Sequence, residues 1–316
     1  MNKQLFLALC LFFILVTPVV KSQNKSKVDS LENLLKSDQN NDTTKVNLLN
    51  EIAFAVHGTD KDKALKYPKM ALELAGRLNY KRGIVKSFCA LGYASDDTDT
   101  NLGIEYVTKG LRMAESIHSN TEIASCSSIL GDLYSTIDRN KSLKYHLTAI
   151  QLAEEAKDQK SNARFIYRLG LFYLKNGEFD KSISTNLKVL EIAEAIGDKA
   201  LKSSCIRILG LAHIAQGKYP QALEYYLKYL TMMERSNNKK NVFNALNDIG
   251  TIYTKINDYA KADYYLQRAL KMAYELKDKR EIIMSYTNIG NLLYKVNDPK
   301  AIENKEKALK IAKEID

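Results

Sequence analysis

The sequence predicts an all-α protein, an α-solenoid of seven helical hairpins, and three observations lead there. A Leu-Gly or Ile-Gly pair recurs at Leu91-Gly92, Leu130-Gly131, Leu169-Gly170, Leu209-Gly210, Ile249-Gly250 and Ile289-Gly290, at successive intervals of 39, 39, 40, 40 and 40. One further step of 39 back from Gly92 reaches the small residue Ala53, which makes seven units. Around these positions apolar residues follow the i, i+3, i+4, i+7 spacing of a helix face, as in Ile183, Leu187, Leu190 and Ala193 or Leu223, Tyr226, Leu227 and Leu230. No segment alternates with period two for long enough to be a strand. A fixed period of this length overrides the two-domain prior that 316 residues would otherwise suggest.

The segment 1–22 reads as a signal peptide: Lys3, an apolar run from Leu5 to Val16, then Thr17-Pro18-Val19-Val20-Lys21-Ser22, with Ser22 a small residue for cleavage before Gln23. The apolar stretch runs from Leu5 to Val20, short of the roughly 20 residues that span a bilayer as a helix. Leu9 stands before Cys10 where a lipoprotein signal carries a small residue, so lipidation is not expected. Past the signal no segment approaches about 18 consecutive apolar residues, and no membrane span is expected there. The chain is expected to be exported, to the periplasm or the envelope.

The segment 23–42 is a leading one, with a short helix around Val28 to Leu35. Seven repeats then occupy about 43–80, 81–119, 120–158, 159–198, 199–238, 239–278 and 279–316. Each holds a second small residue, at Ala64, Gly103, Ser142, Ser182, Ala222, Ala262 and Ala301, on the second helix of its hairpin. Glycine inside a helix costs about 1 kcal/mol relative to alanine. Close approach of two antiparallel helices, glycine on one against Ala or Ser on the other, is the compensation. The turns agree: Asn176-Gly177-Glu178-Phe179, Gln216-Gly217-Lys218-Tyr219, Asn257-Asp258-Tyr259 and Asn297-Asp298-Pro299 each supply a residue tolerant of left-handed geometry before a new helix start. Pro220 and Pro299 fall in the first turn of a second helix, and Ile196-Gly197-Asp198-Lys199 repeats the turn logic between units.

These residues resemble the tetratricopeptide repeat, whose Leu-Gly, then Tyr three residues on, then Ala about a dozen later, is matched here with Tyr134, Tyr173 and Tyr253 in the Tyr place. The chain departs from it in having no Trp, no proline closing each unit, and a period of 39 to 40 where the family has 34. In this it looks like the longer-period variant, near 40, of exported Bacteroidota arrays, which commonly precede a membrane helix and a histidine kinase or DNA-binding effector. The resemblance covers Val28 to Asp316. It implies a right-handed superhelix with first helices lining a concave face, and speaks for fold more than for partner.

Charge and motifs narrow the function. Without Lys3 and Lys21 the balance is 45 basic against 37 acidic residues, +8, with Lys interleaved with Glu and Asp along helices. That pattern is a solvated helix face, unlike the clustered footprint of a nucleic-acid binder. Cys89, Cys126 and Cys205 lack framework spacing and read as buried free thiols. No phosphate-cradling loop, His-Glu-x-x-His or Gly-x-Ser-x-Gly occurs, and His57, His118, His146 and His213 fall in four different units. No cofactor, metal or catalytic residue is assigned. Asp96, Asp97 and Asp99 read as a solvated turn, and His213 as a packing residue in the Tyr place.

The family's groove positions lie six and three before each glycine and one, four and five after it. In the second and third repeats they are small, polar and slightly acidic, including Tyr93, Asp96, Asp132 and Ser135. In the fourth and fifth they bring Arg164, Tyr167, Leu171 and Lys175 together with Arg207, Leu211 and Ile214, a mixture of guanidinium and apolar surface that anchors peptides or partner helices. In the last two, Asn244, Asn247, Thr251, Asn291 and Tyr294 offer side-chain donors and acceptors to an extended backbone. A non-enzymatic adaptor that binds a protein or peptide segment is therefore expected, with an acidic group of the ligand near Arg207. The alternative is the sensory half of a signalling protein whose effector is absent from this sequence. End-to-end self-association is a further expectation, since the last repeat ends without a distinct polar capping helix.

Overall fold

The computed structural model describes residues 21–37, 40–96 and 98–315; the expected signal peptide lies outside them except for Lys21 and Ser22, and so does Asp97. Fifteen helices and no strand occur among the described residues. A leading helix, α1 (Lys21–Ser37), precedes seven hairpins: α2 (Thr43–Val56) with α3 (Lys61–Arg77), α4 (Lys81–Ser95) with α5 (Thr100–Ser116), α6 (Asn120–Tyr134) with α7 (Arg139–Glu155), and α8 (Gln159–Lys175) with α9 (Phe179–Ala195). The series continues with α10 (Lys199–Ala215) and α11 (Tyr219–Arg235), α12 (Lys239–Lys255) and α13 (Tyr259–Leu276), and α14 (Lys279–Lys295) and α15 (Lys300–Ala312). None of these helices is long and apolar enough to cross a membrane.

Local chemistry sets the helix ends. Asp42, Asp60, Asp99, Asp138, Asp158, Asp258 and Asp278 each precede a helix and accept a hydrogen bond from a first-turn backbone N–H, satisfying donors that the helix cannot. Asp99, read from the sequence as one of a loop cluster, is thus the N-cap of α5. Within hairpins the turns close through Gly177 at φ 76°, Gly217 at 72°, Asn257 at 63° and Asn297 at 57°, the left-handed geometry the turn sequences predict. Pro220 sits in the first turn of α11. Pro299 stands immediately before α15 rather than inside its first turn.

The repeat glycines are explained by what faces them. A Cβ on Gly92 would lie 2.2 Å from Val107 Cγ2 and 2.8 Å from the Gly103 carbonyl oxygen. On Gly131, Gly170, Gly210 and Gly250 it would meet His146, Asn186, Tyr226 and Leu266 at 2.7, 2.3, 2.8 and 2.6 Å. The facing residue comes each time from the second helix of the same hairpin and lays its side chain in the space a Cβ would fill. The predicted small partner contributes too, since Ser142 and Ser182 donate hydrogen bonds to the carbonyls of Gly131 (2.6 Å) and Gly170 (2.8 Å). Stacked rings brace the same interface at Tyr134–Tyr145, His213–Tyr225 and Tyr253–Tyr265, with centroids 5.7, 5.4 and 5.5 Å apart. His213 packs in the Tyr place, as expected.

The chain divides into two compact units, residues 1–201 and 202–316, the division falling in the first turn of α10. In the first, α1 docks on α2 through Val28 and Leu31 against Ile52, Ala55 and Val56. Lys63 Nζ (2.7 Å) and Tyr67 Oη (2.9 Å) tie this helix down by donating to Glu32. The leading helix starts at Lys21, well before the Val28 at which its apolar pattern begins. A cluster of Val85, Cys89, Val107, Cys126, Leu130 and Leu133 joins the second and third hairpins. In the second unit Tyr226, Phe243, Leu246, Ile249 and Leu266 are fully buried.

Candidate binding site

The C-terminal ends of α2, α4 and α6 and one side of α8 enclose a cleft of about 310 Å³ in the first unit. His57, Tyr93 and Asp96, and Asp132, Ser135 and Thr136, come from those helix ends; Tyr167, Arg168, Leu171, Phe172 and Lys175 come from α8, and His146 rises from α7. Successive turns of α8 present these residues to one side because helix neighbours recur every three or four positions. Seven of the sequence-predicted groove positions, Tyr93, Asp96, Asp132 and Ser135 with Tyr167, Leu171 and Lys175, meet here.

The charges within the cleft are unevenly matched. Arg168 Nη1 forms a tight ion pair with Asp132 Oδ2, and its guanidinium lies over the Tyr93 ring, 5.7 Å from the centroid. Lys175 has no ion-pair partner among the described residues; lost solvation lowers its pKa, against the pull of Asp96 and with a further push from Arg168. An ammonium so placed favours an arriving anion. Beneath it His146 is 1% exposed, and neither ring nitrogen has a hydrogen-bond partner. Asp132 Oδ1 stands 3.7 Å from its Nε2. Desolvation, with the Lys175 charge second, drives the His146 pKa down to about 4, so the ring is neutral near pH 7. The His57 and Tyr93 rings pack against each other in a tilted arrangement, centroids 4.2 Å apart and planes at 41°.

Other predicted groove residues are placed differently. Arg164 is exposed outside this lining and reaches Asp198 at 3.5 Å. In the second unit Leu211 is only 8% exposed; its apolar side chain is withdrawn into the core, a correction to its reading as groove surface that apolar burial explains. Asn247 is buried and its Oδ1 accepts from Asn288 Nδ2 at 2.9 Å. Its acceptor is therefore committed within the protein, a second correction. Asn244 is half-buried with an unpartnered Nδ2. Ile214 and Thr251 are half-buried, and Asn291 and Tyr294 exposed. Arg207 acts on Asp248, whose carboxyl is pushed up to about 7 by desolvation, against the opposing effects of Arg207 and Tyr226.

Sequence reasoning missed Arg168, His146 and His57. Arg168 carried no clear signal: at the second position before the repeat glycine the other units hold Ala90, Ile129, Ile208, Asp248 and Asn288, so apolar and polar residues both occur there. His146 likewise stands at a position that holds Val107, Asn186, Tyr226 and Leu266 in other repeats, so nothing in the sequence singled it out. Asp96, read from the sequence both as a groove position and as part of a solvated turn, lines the cleft.

Stacked antiparallel hairpins whose first helices border an open cleft define a helical-repeat binding module. The tetratricopeptide-repeat model matches residues 161–235, 206–275 and 241–314, and the chain is a tetratricopeptide-repeat protein, a protein–protein interaction scaffold by fold. No curated protein sequence matches it. Among solved structures it is similar to a Pyrococcus horikoshii signal transduction ATPase with numerous domains that carries a tetratricopeptide-repeat sensor; identity is 20%, the TM-score 0.68, and the match covers 96% of this chain and 47% of that one. BtubC of P. vanneervenii matches at 20% identity and TM-score 0.62 over 69% of this chain and 92% of its own. NprR in complex with its cognate peptide NprX matches at 13% and 0.52, over 92% and 89%.

Proposed function

We propose that the protein is a non-enzymatic adaptor and that the cleft of the first unit receives a peptide or protein segment, apolar where it meets Tyr167 and Leu171 and acidic where it meets Lys175. The observation that carries this is the meeting of Tyr93, Tyr167, Leu171 and Phe172 with the Lys175 ammonium in one cleft. Aromatic and apolar anchors beside one oriented charge are what a recognition pocket needs, because apolar burial gives affinity and the charge fixes register. That NprR, a protein of the same fold, holds a peptide agrees with the reading. In the second unit, Asn244, Thr251, Asn291 and Tyr294 make a second set of contacts.

The test places a photo-crosslinking benzoylphenylalanine at Leu171 in the full chain, in its native cells, with the same label at Leu147, an exposed residue of α7, as control. A partner captured at 171 and not at 147, and reduced at least about tenfold by Lys175→Glu, is the expected result. Equal capture at both positions, or indifference to Lys175→Glu, removes the site from the cleft.

A second reading, the sensory region of a signalling protein, is favoured by the likeness to an array that serves as the sensor of a longer chain. A reading frame running on into a membrane helix and an effector would support it. Export through the segment 1–22 is proposed on its basic start and apolar run; the N-terminal sequence of the chain from an envelope fraction tests it, and an intact Met1 in the cytoplasm would overturn it.

A further inference from the structure

We propose that Cys89 and Cys126 form a disulfide, a covalent clasp between the second and third hairpins. The two residues are 37 apart in sequence and lie on neighbouring first helices, α4 and α6, yet their Sγ atoms stand 3.2 Å from each other. Both side chains are buried, at 4% and 0% exposure, among Val85, Val107, Leu130 and Leu133. Gly110 borders them from α5, where a Cβ would be in ordinary contact with Cys126 Sγ at 3.5 Å. Buried cysteines commonly serve as small apolar fillers. Cys205, in the other unit, fits that description; what separates this pair is that each thiol has the other as its hydrogen-bond partner.

The chemistry requires an oxidant, here a low-molecular-weight disulfide such as oxidised glutathione. One cysteine loses its proton and attacks a sulfur of the reagent, forming a mixed disulfide and expelling one glutathione thiolate, which takes up a proton. The second cysteine then loses its proton and attacks the first cysteine's sulfur. The Cys89–Cys126 bond forms, the mixed disulfide breaks, and a second glutathione leaves and is protonated. Two cysteine thiols are oxidised and one glutathione disulfide is reduced to two thiols. The second step is intramolecular between groups already in contact, so it outruns the first.

The surroundings set when this happens. The thiolate is the nucleophile, and the Cys126 thiol is held far above the ordinary range by its hydrogen bond to Cys89 and by burial. In the closed array the pair is therefore inert, and it oxidises while the chain folds or when α4 and α6 open. Once formed, the bond closes the loop from Cys89 to Cys126 and restricts the unfolded chain, which raises stability.

The experiment refolds the full chain from denaturant in a mixture of oxidised and reduced glutathione, blocks remaining thiols with N-ethylmaleimide, and digests with trypsin without reduction. Peptides 87–109 and 113–139 should be recovered joined, two hydrogens lighter than their sum, with Cys205 in peptide 203–207 alkylated. The oxidised chain should unfold several degrees above the reduced one. Cys89→Ser and Cys126→Ser should each abolish the joined peptide and that difference, while Cys205→Ser keeps both. The same exchange run for hours on chain never unfolded covers the case of poor refolding. Recovery of both peptides singly alkylated under both regimes, or of Cys126 joined to another cysteine, overturns the proposal.

Discussion

At Gly92 a methyl group would stand 2.2 Å from Val107 Cγ2 and 2.8 Å from a carbonyl oxygen across the helix pair. At Gly76 it would meet nothing within 4 Å. The two glycines lie in helices of one unit, so the difference isolates tertiary contact from propensity. Gly92→Ala is expected to cost about 2–3 kcal/mol through overpacking, and Gly76→Ala to gain up to about 1 kcal/mol of helix propensity. Denaturant midpoints of the two variants decide it: shifts of the same sign and size would mean that close helix approach is not what the repeat glycines serve. His146 supports a second prediction at this scale. Its folded pKa, about 4, lies below the ordinary 6.5, so as pH falls between those values the unfolded chain takes up a proton that the folded chain refuses. Stability is lost over that window, by up to about 3 kcal/mol. His146→Asn, the residue that neighbouring Asn186 supplies at the same place, should flatten that loss while the stability at pH 8 changes less. An unaltered pH profile would show that the imidazole is not the titrating group. The recurrence of glycine was legible in the sequence. The identity of the side chain covering it was not, because that side chain belongs to the next helix, at a position that tolerates Val, His, Asn, Tyr and Leu alike.

Between elements, first helices of successive repeats are joined by polar clasps. Asn50 Nδ2 donates to Ser87 Oγ at 3.0 Å across α2 and α4, Arg168 pairs with Asp132 across α6 and α8, and Asn288 donates to Asn247 across α12 and α14. A buried ion pair makes a fourth clasp, Lys240 with Glu281, whose side chains are 5% and 3% exposed, with Asp278 at 3.8 Å from the same ammonium. Removing one partner of a buried pair strands the other charge away from water. Glu281→Gln is therefore expected to cost about 3 kcal/mol, and Lys240→Met with Glu281→Leu together much less. A double variant as unstable as the single one would show that the site matters for shape and not for charge. In sequence both residues look like ordinary surface charges in the first turn of a helix. Helical periodicity marks which face turns inward, but a charged residue near a helix start fits solvent and interface equally well, so this clasp was not readable.

For the molecule, the repeat period of 39 to 40, the small residues and the turn chemistry together predicted seven hairpins, and the described residues form seven hairpins after a leading helix. The sequence by itself determined these things because they are local: helix ends depend on caps within a turn of them, and the buried face depends on spacing within one helix. The division into two units, the withdrawal of Leu211 and Asn247, the gathering of Tyr93, His146, Arg168 and Lys175 around one cleft, and the contact of Cys89 with Cys126 were decided only by the tertiary structure. Each depends on which side chains of different helices meet across long separations in sequence. A repeat pattern describes what every unit shares, whereas a site is made where units differ, and packing alone selects which of those differences become neighbours.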